Sequence, residues 1–374
     1  MSFIGSFKHL AGEHCETTAL RDVLEYNGIE LSEATVFGLD GCLGFFYWEG
    51  DFFSGNNENS AFVSVGGRNG WLTKNSLIFR LLGVDVDEKS FASADKAFAE
   101  AKQLICAEKP LIIRVDMAYL SYLKMETDFH FGGHLISQVG FDDDNDLVYV
   151  YETGDEKAHT LSVENIKKAR GSKECGKLAP SNTRFVLSVK PDKKHPAFAA
   201  AAKFAIKNVC KNMLASSVKF SGLPALKALS EKIKSWESLK DSDLIQANGS
   251  NAIRLLKTMG QMYGSIEKYG TGGAVFRKLY LKFLNELAEN PQINTSPGGW
   301  NQDDLVNLEK SIDLLNNAVN LWDEFTVMLK SCLEESDNDL ECKNKMDFNI
   351  MGDLVSSIYN QEQKTFKQLY EIKL

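Results

Sequence analysis

The sequence predicts an α+β first half followed by an all-helical second half, and three observations carry that prediction. Residues up to about 189 mix short helical patterns with strand-like runs rich in Val, Ile, Tyr and Phe, bounded by Gly, Asp or Pro. From Pro191 onward the strand signals vanish and apolar residues recur at helical spacing. Between the two lies KPDKKHP, residues 190–196, charged and proline-flanked as a linker is. The predicted domains are therefore residues 1–189 and 190–374. At 374 residues the chain also exceeds the size at which single cores usually stop growing.

The first helix falls in GEHCETTALRDVLEYNG, residues 12–28. Ala19, Leu20, Val23 and Leu24 recur at helical spacing, and Gly28 supplies a left-handed stop. Cys15 then stands in the first turn, where unpaired N–H groups and the positive end of the helix dipole favour an anion. Glu13 and Glu16 oppose that charge, so a nucleophilic Cys15 requires a cationic partner. The other reading is a buried structural cysteine. The aromatic run GCLGFFYW, residues 41–48, reads equally as the wall of a pocket and as core.

Strand patterns follow at PLIIRVDM from 110, HLISQVGF from 134, DLVYVYE from 146 and TRFVLSVK from 183. The acidic DDDND joins the middle two as a hairpin turn; it lacks the Gly and Glu of a calcium loop. With the turn centred on Asp143, Val139 faces Leu147 and His134 stands directly opposite Glu152. An odd-length loop keeps the two on one face, and an even-length loop separates them. On one face they form a base and its orienting carboxylate, or else an ordinary strand-end histidine beside a surface glutamate. His130 and His134 in HFGGH have the i, i+4 spacing of a helical zinc pair. Two glycines and the strand that follows exclude the helix, so no metal site is predicted.

In the second half, long helical patterns run through PAFAAAAKFAIKNVCKNML, GGAVFRKLYLKFLNELAEN and DDLVNLEKSIDLLNNAVNLWDEFTVMLKSCLEES. Between Lys190 and Lys234 stand ten lysines against Asp192 and Glu231. Lys203, Lys207 and Lys211 span a sector of about 80° on one helix face, opposite Phe198, Ala202, Ala205, Val209 and Met213. The stripe reads as a solvated face or as a dock for an acidic partner. GTGGAVFR, residues 270–277, sets a glycine turn before Arg277, which suits either a phosphate or close helix packing.

A net charge of -9 argues against nucleic-acid binding. Seven scattered cysteines, with no C-x-x-C pair, fit a reducing cytoplasm. MSFIGSFKHLAGEHC has no long apolar region of a signal peptide, and no stretch has the length of a membrane span. The expectation is a soluble cytoplasmic protein whose oligomeric state the sequence leaves open.

The order Cys15, His134, Glu152, with the cysteine on an early helix and the other two on a hairpin, resembles the papain-like cysteine fold. HCETTALRDVLEYNGIELSEATVFGLDGCLGFFYW and GGHLISQVGFDDDNDLVYVYE look like the N-terminal domain of the family of butirosin biosynthesis protein H. IEKYGTGGAVFRKLYLKFLNELAE resembles the helical domain that usually follows it. The resemblance implies a cysteine acyltransferase that takes an acyl or aminoacyl group from the phosphopantetheine arm of an acyl carrier protein to a small-molecule amine, with no tightly bound cofactor. Carried across, the nucleophile is Cys15, the base His134 and the orienting acid Glu152, with Lys203, Lys207, Lys211 and Arg277 as candidate contacts to the carrier and its arm. Two departures stand out. The acid is commonly Asp or Asn in such folds, and the Gln that distant peptidase relatives carry six residues before the nucleophile is here His9. A peptidase or amidase on the same residues, and a non-catalytic scaffold, are the alternatives.

Overall fold

The computed structural model describes residues 1–50, 60–125, 129–189, 197–216, 218–239, 250–291, 293, 299–336 and 347–373. The proposed linker, 190–196, lies outside them. Among the described residues the first half holds β1 (Ser2–Phe3), α1 (Cys15–Tyr26), α2 (Glu33–Asp40), β2 (Leu43–Glu49), β3 (Val63–Arg68), α3 (Leu77–Leu82), β4 (Val84–Lys89), α4 (Ala94–Cys106), β5 (Leu111–Val115), β6 (His134–Asp142), β7 (Leu147–Tyr151), β8 (Ala158–Ser162), α5 (Val163–Gly171) and β9 (Arg184–Val189). The second holds α6 (Phe198–Leu214), α7 (Gly222–Ser235), α8 (Ser250–Tyr263), α9 (Arg277–Glu289), α10 (Gln302–Ser336) and α11 (Phe348–Tyr370). No described helix is long and apolar enough to cross a membrane.

Contacts divide the chain into two units, and not at one point after residue 189. Residues 1–36 and 71–196 form the first unit; residues 37–70 join 197–374 in the second. The N-terminal region is α+β, as the patterns predict. Its antiparallel sheet runs β4-β9-β5-β6-β7-β8, with β1 also paired to β6. All four predicted strands are present, as β5, β6, β7 and β9. Strand β6 is buried at every position, with α1 and α4 packed against it. Strand β7 alternates between buried and half-buried, as a strand covered on one face does.

The β6–β7 hairpin corrects the predicted register. Asp142 pairs with Leu147, so the loop has four residues rather than an odd number, and Val139 does not face Leu147. Pairing continues through Phe141–Val148 and Gly140–Tyr149, then shifts at Val139 to Gln138–Val150 and Ser137–Tyr151. That one-residue bulge cancels the parity change made by the even loop. Extended by one pair, the register sets Glu152 across from Ile136. His134 is thus two residues from the position opposite Glu152, on the same face.

The C-terminal region is largely helical, and its unit also takes in a two-stranded antiparallel sheet, β2–β3, that the sequence reading did not foresee. The aromatic run 41–48 is the first of these strands. Leu43, Phe45 and Tyr47 are buried, Phe45 lies against Trp322 and Tyr47 against Phe220. Those three side chains are core of the helical unit, while Trp48 at the end of the run is exposed.

Candidate active site

The mouth of α1 is built by a carboxylate from α2. Glu33 accepts from the backbone N–H groups of Glu13 and His14, each at 2.9 Å, and from the hydroxyls of Thr17 at 2.9 Å and Thr18 at 3.1 Å. Gly12 makes this approach possible, because a Cβ there would stand 2.0 Å from the Thr18 hydroxyl oxygen. His14 caps the helix through its ring nitrogen, which accepts from Thr17 N–H. Cys15 is therefore the first helical residue, whose backbone N–H no helix carbonyl satisfies.

His134 enters from the other side, at the start of β6, paired to Val115 of β5. Its Nε2 lies 3.0 and 2.9 Å from the two carboxylate oxygens of Glu152. Cys15 lies near enough to the same ring to raise it further. Glu152 is held in turn by Thr153 N–H on Oε1 at 2.8 Å and by the Tyr122 hydroxyl, which donates to Oε2 at 3.0 Å. Tyr122 stacks on His159 with ring centres 4.4 Å apart.

Burial and charge oppose one another here, and charge wins. Burial disfavours the His134 cation, but the Glu152 carboxylate and the Cys15 side chain raise the imidazole to about 10. Burial raises Glu152 as well, yet His134 and the Thr153 and Tyr122 hydrogen bonds bring it down to about 2. Near neutral pH the two form a buried ion pair. Burial and the adjacent carboxylate both push Tyr122 upward, which keeps its hydroxyl a donor. A thiol at a helix N-terminus, an imidazole beside it and a carboxylate on its Nε2 make up a nucleophile, a base and an orienting group. Tyr122 and Glu33 are the participants that the sequence reading missed.

The remaining expectations fare differently. The His9 side chain is buried, with Nδ1 2.6 Å from Asp22 Oδ2 and Nε2 2.8 Å from the Asp155 carbonyl, so it has no nitrogen left for an oxyanion. Arg277 is fully buried. Its guanidinium spans both Glu362 oxygens at 2.7 and 2.9 Å and donates to the carbonyls of Gly44 and Val275, each at 2.8 Å, which corrects its assignment to a phosphate. Lys203 is also buried, bonded to Asp304 at 2.8 Å, and Lys207 donates to the Tyr370 carbonyl. Lys211 is exposed, so the predicted three-lysine stripe is not a continuous solvated face.

Residues 14–153, which include Cys15, His134 and Glu152, match the family model described as butirosin biosynthesis protein H, N-terminal. Residues 164–369 match the model described as Domain of unknown function (DUF4872). No curated protein matches the chain.

Proposed function

The chain belongs to the family in which a butirosin biosynthesis protein H N-terminal domain precedes a DUF4872 domain, and on that premise we propose a cytoplasmic cysteine acyltransferase of specialised metabolism. Family membership suggests an acyltransferase-type biosynthetic role. The finer reading is transfer of an acyl or aminoacyl group from the phosphopantetheine arm of an acyl carrier protein to an amine. One observation supports it above the rest: the His134 ring that Glu152 holds by Nε2 is also raised by Cys15 at the mouth of α1.

In this reading His134 holds the thiol proton and Cys15 sulfur attacks the thioester carbonyl carbon. The oxyanion of the tetrahedral intermediate rests on the Cys15 backbone N–H. As the carbon–sulfur bond to the arm breaks, the departing thiolate takes the proton from His134. An amine then attacks the Cys15 thioester and His134 takes the amine's proton. Cys15 leaves as thiolate and the ion pair is restored. Glu152 holds the ring in place and stabilises its cationic form.

Intact-mass spectrometry after incubation with acyl carrier thioesters tests this. The expected result is a mass increment equal to the acyl group on the wild-type chain, none on Cys15→Ala, and loss of the increment when an amine is added, with the amide as product. An increment that persists in Cys15→Ala overturns the covalent step. Release of free acid with no amide overturns transfer in favour of hydrolysis.

A further inference from the structure

A second thiol, imidazole and carboxylate meet in the first unit, sharing no residue with the Cys15 cluster. Asp116 follows β5 and is fully buried; His130 lies on the segment leading into β6; Cys175 lies beyond α5. One donor atom from each lies within 4.8 Å of the other two. His130 Nδ1 is 2.7 Å from Asp116 Oδ2, and the Ser172 hydroxyl donates to the same oxygen at 2.6 Å. Ser172 Oγ is also 3.9 Å from Cys175 sulfur. A Cβ at Gly132 would come 2.3 Å from the Leu178 carbonyl oxygen and 2.9 Å from Cys175 sulfur, so the glycine lets the His130 segment lie against the Cys175 loop.

We propose that Asp116, His130 and Cys175 form a zinc site. Zinc takes mixed sulfur, nitrogen and oxygen donors, whereas magnesium and calcium prefer oxygen alone. Bond lengths of about 2.0–2.3 Å put the donors of a tetrahedral zinc roughly 3.3–3.8 Å apart, so the 2.7 Å His130–Asp116 pair opens by about 0.6–1 Å and any separation near the 4.8 Å limit closes by about 1 Å. Binding forms one bond each to sulfur, nitrogen and oxygen, and releases to solvent the thiol proton and any proton on the coordinating ring nitrogen. A thiolate and a carboxylate balance the two charges of the ion. The fourth position falls to water, which reaches the cluster through the part-exposed side of His130. Asp116 Oδ1 also accepts from Phe131 N–H at 3.1 Å, so the site braces the segment that delivers His134. HFGGH is thus divided: His134 serves the Cys15 cluster, and His130 the metal with partners distant in sequence.

The test uses the full chain, purified without added metal, dialysed against zinc and then titrated with a chromophoric chelator, with cobalt as a spectroscopic substitute. The expected result is about one zinc per chain and a thiolate-to-cobalt charge-transfer band. Cys15→Ala keeps both. Cys175→Ser loses the band, and Cys175→Ser and His130→Gln each weaken zinc binding about tenfold or more. Circular dichroism checks each variant, and where one does not fold the other decides. The proposal is overturned if the wild-type chain yields its zinc as readily as free metal, if both variants bind as the wild type does, or if Cys15→Ala alone loses the ion.

Discussion

Cys15 owes its place to groups other than its own side chain: Glu33 gathers the backbone before it and His14 caps the turn after it. Cys15→Ala is therefore expected to leave the thermal midpoint nearly unchanged while turnover falls by several orders of magnitude, which rate and melting measurements on one sample check. A mutant with wild-type activity refutes the covalent mechanism. The His134–Glu152 pair, in contrast, carries stability with a defined pH window. The raised histidine contributes fully below its ordinary value of 6.5 and loses that contribution as pH climbs toward about 10. The lowered glutamate contributes above its ordinary value of 4.5 and loses it as pH falls toward about 2. Glu152→Gln should therefore be less stable than wild type by about 3 kcal/mol between those two ordinary values, with the gap narrowing as pH rises. Denaturant unfolding near pH 6 and pH 9 measures it, and a gap that widens with pH contradicts the assignment. In activity Glu152→Gln should suffer less than His134→Ala, since the carboxylate orients while the imidazole moves the proton.

The β6–β7 hairpin shows how an element can hold a site that its sequence pattern misplaces. Loop length and the Val139 bulge each reverse side-chain parity, and together they return His134 and Glu152 to one face. Deleting Val139 should remove the bulge and let the ladder run from Gly140–Tyr149 straight to Gln138–Val150, so that His134 stays on the face of Glu152. Activity should then persist well above the level of His134→Ala; a deletion variant as inactive as His134→Ala, with circular dichroism still showing the sheet, would sink this account. Period-two reasoning recovered the two residues but not their register, because a bulge leaves no mark in the alternation. Strands β5, β6, β7 and β9 were legible as β-branched and aromatic runs. Strand β4, VDVDEK, is charged at four of its six positions, and β3 carries Gly66 and Gly67, so neither stood out. Tyr122 and Glu33 were illegible because their partners stand 15 to 30 residues away, with no local pattern linking them. Lys203 misled for a related reason: its period places it on the polar face, but that face is covered at Asp304. Lys203→Glu should cost about 3–5 kcal/mol, since it sets two buried carboxylates together. Lys211→Glu should change stability by no more than about 0.5 kcal/mol. Equal losses in denaturant titrations would contradict the burial difference.

At the scale of the whole chain, sequence order and packing order differ. Residues 37–70 interrupt one unit in sequence and complete the other. Phe37 stacks on Phe276 with ring centres 5.2 Å apart, Phe45 lies against Trp322, and the Gly44 carbonyl accepts from Arg277. Phe37, Leu39, Leu43, Phe45, Tyr47, Val63 and Val65 are all at most 2% exposed. At about 1.5–3 kcal/mol for each buried side chain, those seven stabilise the helical unit by roughly 10–20 kcal/mol. A typical domain has a net stability of only about 5–15 kcal/mol, so the helical unit cannot lose them and stay folded. Division at the boundary that the sequence suggests, after residue 189, strips them from the second half and leaves them uncovered in the first. Fragment 190–374, expressed alone, should therefore lack a cooperative unfolding transition, while fragment 1–189 keeps the first unit but exposes residues 37–70 and binds hydrophobic dye. Mixed or co-expressed, they should recover a transition, because every contact that residues 37–70 make within their unit is then available again. A cooperative melt of 190–374 alone, at native helix content, would show that the hairpin is dispensable to the helical unit and would overturn the division drawn from its contacts.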